Sequence, residues 1–206
     1  GSGLIHPASA SAIRWLMLED KPLEDCLPPP SLEIYRQACR DRTAPVFLSH
    51  QDRLLLGRLR GLSQQQLSAL PDLTEGIENR LLQSIRGATS YTMLLESMKT
   101  KRYTLARIRR LCLSAALGID GQLCRYAPPY IRFLGFTPVG TEVLHLAKQT
   151  CTLPISHSLA ILEKQGELAA RFAALESAST DLYHLMTPTV FPCGLDYTTP
   201  PVLAGG

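Results

Sequence analysis

The sequence predicts a mainly α-helical protein, a multi-helix domain that can include a small strand–helix–strand unit near residues 130–157. Apolar residues recur at spacings of three and four from position 31 to position 117, and Ser or Thr precedes most of these periodic segments, as helix N-caps do. Residues 130–136 differ, because they are rich in β-branched and aromatic side chains. Hydrophobic residues make up 45% of the 206-residue chain but aromatic residues only 6%, so leucine and alanine must build most of the core.

The N-terminal half is predicted to form a series of short helices. Either Ser9 or Ser11 can cap the first helix, and three prolines at positions 28–30 then break the chain. A second helix is expected from Ser31 to about Arg40. Each of the following helices is expected to start at a hydroxyl-bearing N-cap, namely Ser49, Ser63, Thr74, Ser90 and Thr104.

The C-terminal half has a different pattern. Residues 130–136 and 153–157 are expected as strands, with a helix from Pro138 to Ala147 between them. An alanine-rich helix is expected over residues 163–176, and Thr180 can cap a short helix after it. The proline-rich remainder is expected to be a docked or frayed tail.

Charge is concentrated in the segment from Lys99 to Arg110, called here the basic segment. It holds six basic residues, and no Asp or Glu lies between Glu96 and Asp120. The whole chain has 21 Lys and Arg against 18 Asp and Glu, so without these six it would be mildly acidic. The modest net charge of +3 therefore hides a local cationic surface, formed by Lys99, Lys101, Arg102, Arg107, Arg109 and Arg110.

The helix within and after the basic segment is predicted to bury one stripe and to end at Gly118. The stripe consists of apolar residues at helical spacing, namely Ile108, Leu111, Cys112 and Ala115. With this stripe facing inward, Arg107 and Arg110 should lie one turn apart on the outer surface, with Arg109 to one side. Tyr103 can stack on a base or pack inward, and the pattern does not decide between the two.

Such a surface suits a nucleic-acid backbone, because each phosphate that a cation neutralises releases condensed counterions. Two other interpretations stay open on the charge pattern alone. The segment can be an ordinary solvated helix face, or it can belong to a helical protein-interaction module that presents a basic patch to an acidic partner.

Cysteine usage and hydropathy bound the class of protein further. The six cysteines form no Cys-x-x-Cys pair and have no histidine at zinc-finger spacing, so we expect reduced thiols in a cytoplasmic protein and assign no metal ligand. No apolar run approaches the roughly 18 residues of a membrane span, so no membrane contact is expected. Residues 1–3, Gly-Ser-Gly, are interpreted as an expression scar.

Short blocks in a fixed order resemble the bacterial tRNA(Met) cytidine acetate ligases, a nucleotidyltransferase-like family. The most distinctive block is Lys-Thr-Lys-Arg-Tyr-Thr at residues 99–104. The blocks extend over most of the chain and occupy residues 8–14, 75–82, 88–91, 99–104, 130–136, 153–155 and 180–183. The resemblance implies a two-step reaction, in which ATP and acetate form acetyl-adenylate and the acetyl group passes to N4 of the wobble cytidine of elongator tRNA(Met).

The resemblance also implies that this chain is the C-terminal part of such an enzyme. The family's H-x-G-H signature fits none of His6, His50, His145, His157 and His184. Residues 4–30 would then be the last helix of the ATP-binding domain, and residues 31–206 a helical tRNA-binding domain. We therefore assign no catalytic residue, expect the chain to be inactive alone, and expect the remaining ATP-binding domain and tRNA as its partners.

Particular residues gain roles from the resemblance. Ser9, Ser11 and Arg14 are similar to the second nucleotidyltransferase signature, whose hydroxyls and arginine contact ATP phosphates, although Ser11 stands where threonine is frequent. The basic segment would hold tRNA through Lys99, Lys101, Arg102, Tyr103, Arg107, Arg109 and Arg110. Other members of the blocks are expected to be hydrogen-bonded structural supports rather than RNA contacts, namely Asn79, Arg80, Asp181 and Tyr183.

Overall fold

The computed structural model describes residues 8–73 and 76–204. Helices dominate these ranges, so the mainly α prediction is confirmed. The helices are α1 (Ala10–Leu18), α2 (Pro29–Arg40), α3 (Asp52–Arg60), α4 (Gln64–Ser68), α5 (Ile77–Gly87), α6 (Tyr91–Met98), α7 (Leu105–Leu117), α8 (Pro138–Thr150), α9 (Leu159–Leu162), α10 (Glu167–Met186) and α11 (Leu195–Thr198). The strands are β1 (Ile131–Arg132), β2 (Gly135–Phe136), β3 (Ile155–Ser156) and β4 (Val202–Leu203).

Local sequence signals set several helix ends. The predicted N-caps Ser63, Ser90 and Thr104 each accept a hydrogen bond from a backbone N–H group of the first turn. Gly118 ends α7 in the left-handed conformation, at φ 75°. Glycine adopts this conformation without the steric cost that a Cβ atom imposes, which explains why the helix stops there.

Other boundaries differ from the prediction. Helix α2 begins at Pro29, two residues before the expected start, because proline fits the first turn of a helix, where its missing N–H group costs nothing. Ser49 lies in a 3₁₀ turn instead of capping α3, which starts at Asp52. Helix α10 continues through Thr180 without a break. The expected cap at Thr74 lies outside the described residues.

The main core lies where α3, α5, α6 and α7 pack against one another and against the C-terminal end of α10. Leu55, Leu81, Leu94 and Ile108 are each at most 1% exposed. The predicted stripe of α7 is buried in this core, as the spacing indicated. Burying one such side chain contributes about 1.5–3 kcal/mol, so tertiary packing rather than local propensity stabilises these short helices.

Several arginines act as supports between helices. The guanidinium groups of Arg58, Arg60 and Arg80 donate to the backbone carbonyls of Ala116 at 3.0 Å, Ala88 at 2.8 Å and Met98 at 3.1 Å, respectively. Each of these carbonyls lies at a helix C-terminus, where carbonyl groups lack intrahelical partners and the helix dipole favours a cation. The expectation that Arg80 is a structural support is confirmed by this contact.

A smaller unit follows the helical region. Strands β1 and β3 pair in parallel, with α8 between them in the sequence, so the predicted strand–helix–strand unit exists with strands of only two residues. A second core beside it consists of Tyr130, Leu159, Leu162, Ala169 and Ala173.

The C-terminal tail is docked, which the sequence left open. Strand β4 pairs in parallel with β2, and a Cβ atom at Gly135 would lie 2.9 Å from the carbonyl oxygen of Val202, so this close approach requires glycine. The carboxylate of Asp181 accepts a hydrogen bond from the backbone N–H of Gly194 at 2.7 Å, which confirms the structural role expected of Asp181.

Candidate nucleic-acid interface

The linker between α6 and α7 turns its aromatic side chain inward and its cations outward. The hydroxyl of Thr100 accepts hydrogen bonds from the backbone N–H groups of Arg102 at 3.2 Å and Tyr103 at 3.1 Å. This tight turn places Tyr103 in the main core. The side chains of Lys99, Lys101 and Arg102 are exposed.

Helix α7 continues the cationic surface. Its cap, the hydroxyl of Thr104, accepts a hydrogen bond from the backbone N–H of Arg107 at 3.4 Å. Arg109 and Arg110 are exposed and lie outside the buried stripe. A helix N-terminus adds unpaired N–H groups and the positive end of the helix dipole to the cations around it. The linker and the first turns of α7 therefore expose several cations close in sequence to a helix N-terminus, an arrangement suited to anions.

Four of these cations have no carboxylate partner within the described residues. None of the ion pairs among residues 8–73 and 76–204 involves Lys99, Lys101, Arg109 or Arg110. The guanidinium of Arg102 lies over the Tyr103 ring, 5.8 Å from its centre. A phosphate that approaches this surface does not need to displace a described carboxylate from those four side chains.

Arg107 corrects one expectation. The sequence placed it on the outer surface beside Arg110, but it is only partly exposed, and its guanidinium donates to the backbone carbonyl of Asp72 at 2.6 Å. It also lies 5.6 Å from the centre of the Tyr103 ring. The long arginine side chain reaches back to the turn before α5, so Arg107 fixes the position of α7 as well as adding charge.

Tyr103 follows the second of its two expected roles. The residue is 6% exposed and belongs to the main core, so its ring packs inward in this structure. Burial leaves the ring no open face for a base, and its prediction as an RNA contact is revised to that of an anchor for the linker.

The residues compared with ATP-binding hydroxyls lie together at the start of α1. Ser9 is the N-cap, and its hydroxyl accepts a hydrogen bond from the backbone N–H of Ala12 at 3.2 Å. Ser11 and Arg14 are exposed in the first turns of the same helix. The geometry thus brings the three residues to one helix end, and their role toward ATP stays a prediction.

Sequence analysis missed a partly buried ion cluster around Arg132. This side chain is 10% exposed and pairs with Glu176 at 3.0 Å and Asp196 at 2.6 Å. Desolvation by itself lowers the pKa of Arg132, but the hydrogen bonds and charges of the two carboxylates outweigh it and raise the pKa. The hydroxyl of Tyr130 also donates to Glu176 at 2.6 Å. The one available signal was an arginine inside an otherwise apolar strand segment, since its partners lie far away in sequence.

The described ranges contain neither a candidate metal centre nor a membrane-spanning helix. No group of three or more His, Cys, Asp or Glu side chains there could hold a metal ion. No helix in residues 8–73 and 76–204 is long and apolar enough to cross a bilayer.

Comparisons with known proteins identify the family. A family model described as HIGH Nucleotidyl Transferase matches residues 4–193, so the chain belongs to this family of nucleotidyltransferases. The curated relatives it matches are named tRNA(Met) cytidine acetate ligases, which confirms the family predicted from the ordered blocks. The protein of Thermotoga maritima is 32% identical over 198 residues, which are 89% of this chain and 47% of the relative. The protein of Latilactobacillus sakei is 43% identical over 104 residues, 50% of this chain and 27% of the relative.

Solved structures agree with the family. The crystal structure of Thermotoga maritima TmcAL without ligand has a TM-score of 0.88 and 31% identity to this chain, and the match covers 95% of this chain and 50% of that one. The same protein bound with alpha-thio ATP also has a TM-score of 0.88.

The chain spans about half the length of the curated relatives it matches. Because the family model extends over residues 4–193, it does not separate residues 4–30 from residues 31–206. It also does not assign the chain to the C-terminal part of the enzyme. Those boundaries and that assignment stay predictions.

Proposed function

We propose that this chain is the tRNA-binding, C-terminal part of a ligase that acetylates N4 of the wobble cytidine of elongator tRNA(Met), by way of acetyl-adenylate. The names of the relatives supply the reaction class. The observation that carries the proposal for this part of the enzyme is the set of exposed cations at the start of α7, four of which have no carboxylate partner within the described residues.

The attraction between the basic segment and tRNA is electrostatic. Four to six phosphate contacts release counterions, so the logarithm of the binding constant should fall with the logarithm of salt concentration at a slope of about 0.7–0.9 per contact. Contacts of this kind hold a nucleic-acid backbone without reading its sequence. The basic segment therefore accounts for holding the tRNA and not for choosing the base that is acetylated.

ATP is assigned to the junction with the rest of the enzyme. We propose that Ser9, Ser11 and Arg14 contact ATP phosphates when the ATP-binding domain is present, because hydroxyls, free N–H groups and a guanidinium meet at the start of α1. Helix α1 has no buried residue, and Trp15 is 54% exposed, as expected for a helix that packs against another domain. An ATP-analogue complex of the Thermotoga maritima protein supports ATP as the cofactor.

Catalysis then belongs to the ligase as a whole. We expect no acetyl-adenylate when the isolated chain is mixed with ATP and labelled acetate, and turnover would show that the chain carries its own catalytic site. Because the proposed partner is a tRNA that works in translation, the proposed location is the cytoplasm.

The proposal is tested by titrating the chain with transcribed elongator tRNA(Met) at two salt concentrations. We expect binding that weakens steeply as salt rises. Undetectable or salt-insensitive binding would contradict the proposal. Binding to an acidic polypeptide but not to tRNA would favour the protein-interaction module instead.

A charge-reversal variant localises the contact. Changing Lys101 and Arg102 to Glu should weaken tRNA binding without unfolding the chain, because both side chains are exposed. A matched control reverses Lys148 and Lys164, which are also exposed but lie outside the basic segment. Equal affinity in the two variants would show that the basic segment does not contact the tRNA.

A further inference from the structure

A cleft lies around the ion cluster that Arg132 forms with Glu176 and Asp196. Two adjoining halves, with volumes of about 380 and 400 Å³, share Arg132, Leu134, Thr180 and Asp196 in their walls. We call the two halves together the Arg132 cleft. Each half is within the size range of small-molecule sites, which is about 300–1,000 Å³.

The charges of the Arg132 cleft disfavour phosphate. One guanidinium faces two carboxylates, those of Glu176 and Asp196. Its donors are also occupied, because Arg132 donates to the backbone carbonyl of Asp196 at 2.9 Å in addition to both carboxylates. A ligand of this cleft must therefore bring hydrogen-bond donors rather than negative charge.

Two buried polar atoms in the walls lack partners. Within the described residues, neither Asp196 Oδ2 nor His184 Nδ1 makes a hydrogen bond, and both residues line the first half of the cleft. Arg132 occupies only the other oxygen, Asp196 Oδ1. A buried carboxylate oxygen without a donor is costly, so a ligand with an N–H group would relieve that cost. Both atoms are enclosed, so the ligand reaches them only when lining side chains move aside.

The remaining walls are flat and mostly apolar. The rings of Phe133 and His157 lie 5.6 Å apart between centres, and those of His184 and Phe191 lie 5.2 Å apart. Proline rings complete this lining, contributed by Pro200 and Pro201. Planar rings of this kind stack on bases of any sequence.

We propose that the Arg132 cleft binds an unpaired nucleobase with an exocyclic amino group, which donates to Asp196 while its ring packs against the aromatic wall. The inference rests on the proposed function insofar as the base belongs to the bound tRNA. It places base contacts in a part of the chain distinct from the basic segment, which contacts only the backbone.

The test follows the imidazole C2–H signals of the histidines by NMR while cytidine, adenosine, uridine or arginine amide is added to the chain. We expect the signals of His157 and His184 to shift, with cytidine and adenosine binding at least fivefold more tightly than uridine. Uridine has no amino group, and its one ring N–H lies between two carbonyl oxygens that the carboxylates of Glu176 and Asp196 would repel. Equal binding of uridine would overturn the proposal. So would shifts with arginine amide alone, or no shifts at all.

A blocking variant gives a second measure. Thr180→Met adds volume where the two halves of the cleft meet, and Ala174→Met adds the same side chain on the exposed face of α10. The first variant should lose the cytidine-dependent shifts and the second should keep them, whereas shifts retained in both would contradict the site. Should Thr180→Met fail to fold, the cytidine and uridine comparison on the unaltered chain still decides.

The two proposals fail in different ways. If nucleosides do not bind but tRNA binds with the expected salt dependence, the cleft assignment is wrong and the proposed function stands. If tRNA does not bind but cytidine does, the proposed function is wrong and the cleft assignment stands.

Discussion

Arg80 and Arg109 provide matched substitutions whose effects should be opposite. Arg80 lies half-buried against the end of α6 and donates to the carbonyl oxygens of Met98 at 3.1 Å and Ser97 at 2.5 Å. Arg109 is exposed and belongs to no ion pair of the described residues. Replacing each by alanine removes one positive charge, but only Arg80→Ala removes contacts that hold two helices together.

The contacts of the two arginines set the expected changes in stability and in tRNA binding. Hydrogen bonds that involve a charged group contribute about 1.5–3 kcal/mol each, but Arg80 is only half-buried and solvent weakens both of its bonds, so Arg80→Ala should lower the free energy of unfolding by about 1–3 kcal/mol. For a chain of this size that is a decrease in Tm of roughly 2–12 °C. Arg109→Ala should change stability by less than about 0.5 kcal/mol. It should instead reduce the salt slope of tRNA binding by about 0.7–0.9.

The assay combines denaturant unfolding with tRNA titration at several salt concentrations, at a temperature where both variants are folded. Separate roles for the two arginines are contradicted if Arg80→Ala weakens tRNA binding as much as Arg109→Ala does. Equal loss of stability in the two variants would contradict them as well.

Two further predictions address the core. Burial raises the pKa of the Cys112 thiol to about 12, so roughly one thiol in ten thousand is ionised at pH 8 and an alkylating reagent should modify Cys112 only after unfolding. Exposed Cys151 is the control and should react at once, and mass spectrometry that finds Cys112 alkylated in the folded chain would show that the α7 stripe is not packed as described. Tyr103→Leu should lower Tm by disturbing the linker but leave tRNA affinity unchanged within twofold. A loss of about 1–3 kcal/mol in binding would instead show base stacking by Tyr103.

The sequence predicted what depends on neighbouring residues. The stripe of α7, its cap at Thr104 and its end at Gly118 follow from local spacing and cap chemistry. The long continuous α10 was divided at Thr180, because a threonine followed by an aspartate resembles an N-cap whether or not the chain breaks there. Pairing of β4 with β2 depends on how the tail folds back, which local pattern does not encode.

Local sequence pattern also failed to distinguish the arginines of the candidate interface from structural ones. Arg58, Arg60, Arg80 and Arg107 all donate to backbone carbonyls in other parts of the chain, whereas Arg109 and Arg110 make no such contact within the described residues. In the sequence these residues are indistinguishable, because the carbonyls they contact are fixed only by tertiary packing. The same reason hid the Arg132 cluster, whose carboxylates come from α10 and α11.

The most direct test of the basic segment compares two variants that remove the same charge from different surfaces. One changes Lys99, Lys101, Arg109 and Arg110 to Gln, and the control changes four exposed cations elsewhere, namely Lys21, Arg125, Lys148 and Lys164. The log–log salt slope of tRNA binding should fall by about 3 in the first variant, the sum of four lost phosphate contacts, and by less than about 1 in the control. Equal slopes in the two variants would show that net charge alone attracts the tRNA and that the basic segment does not hold it.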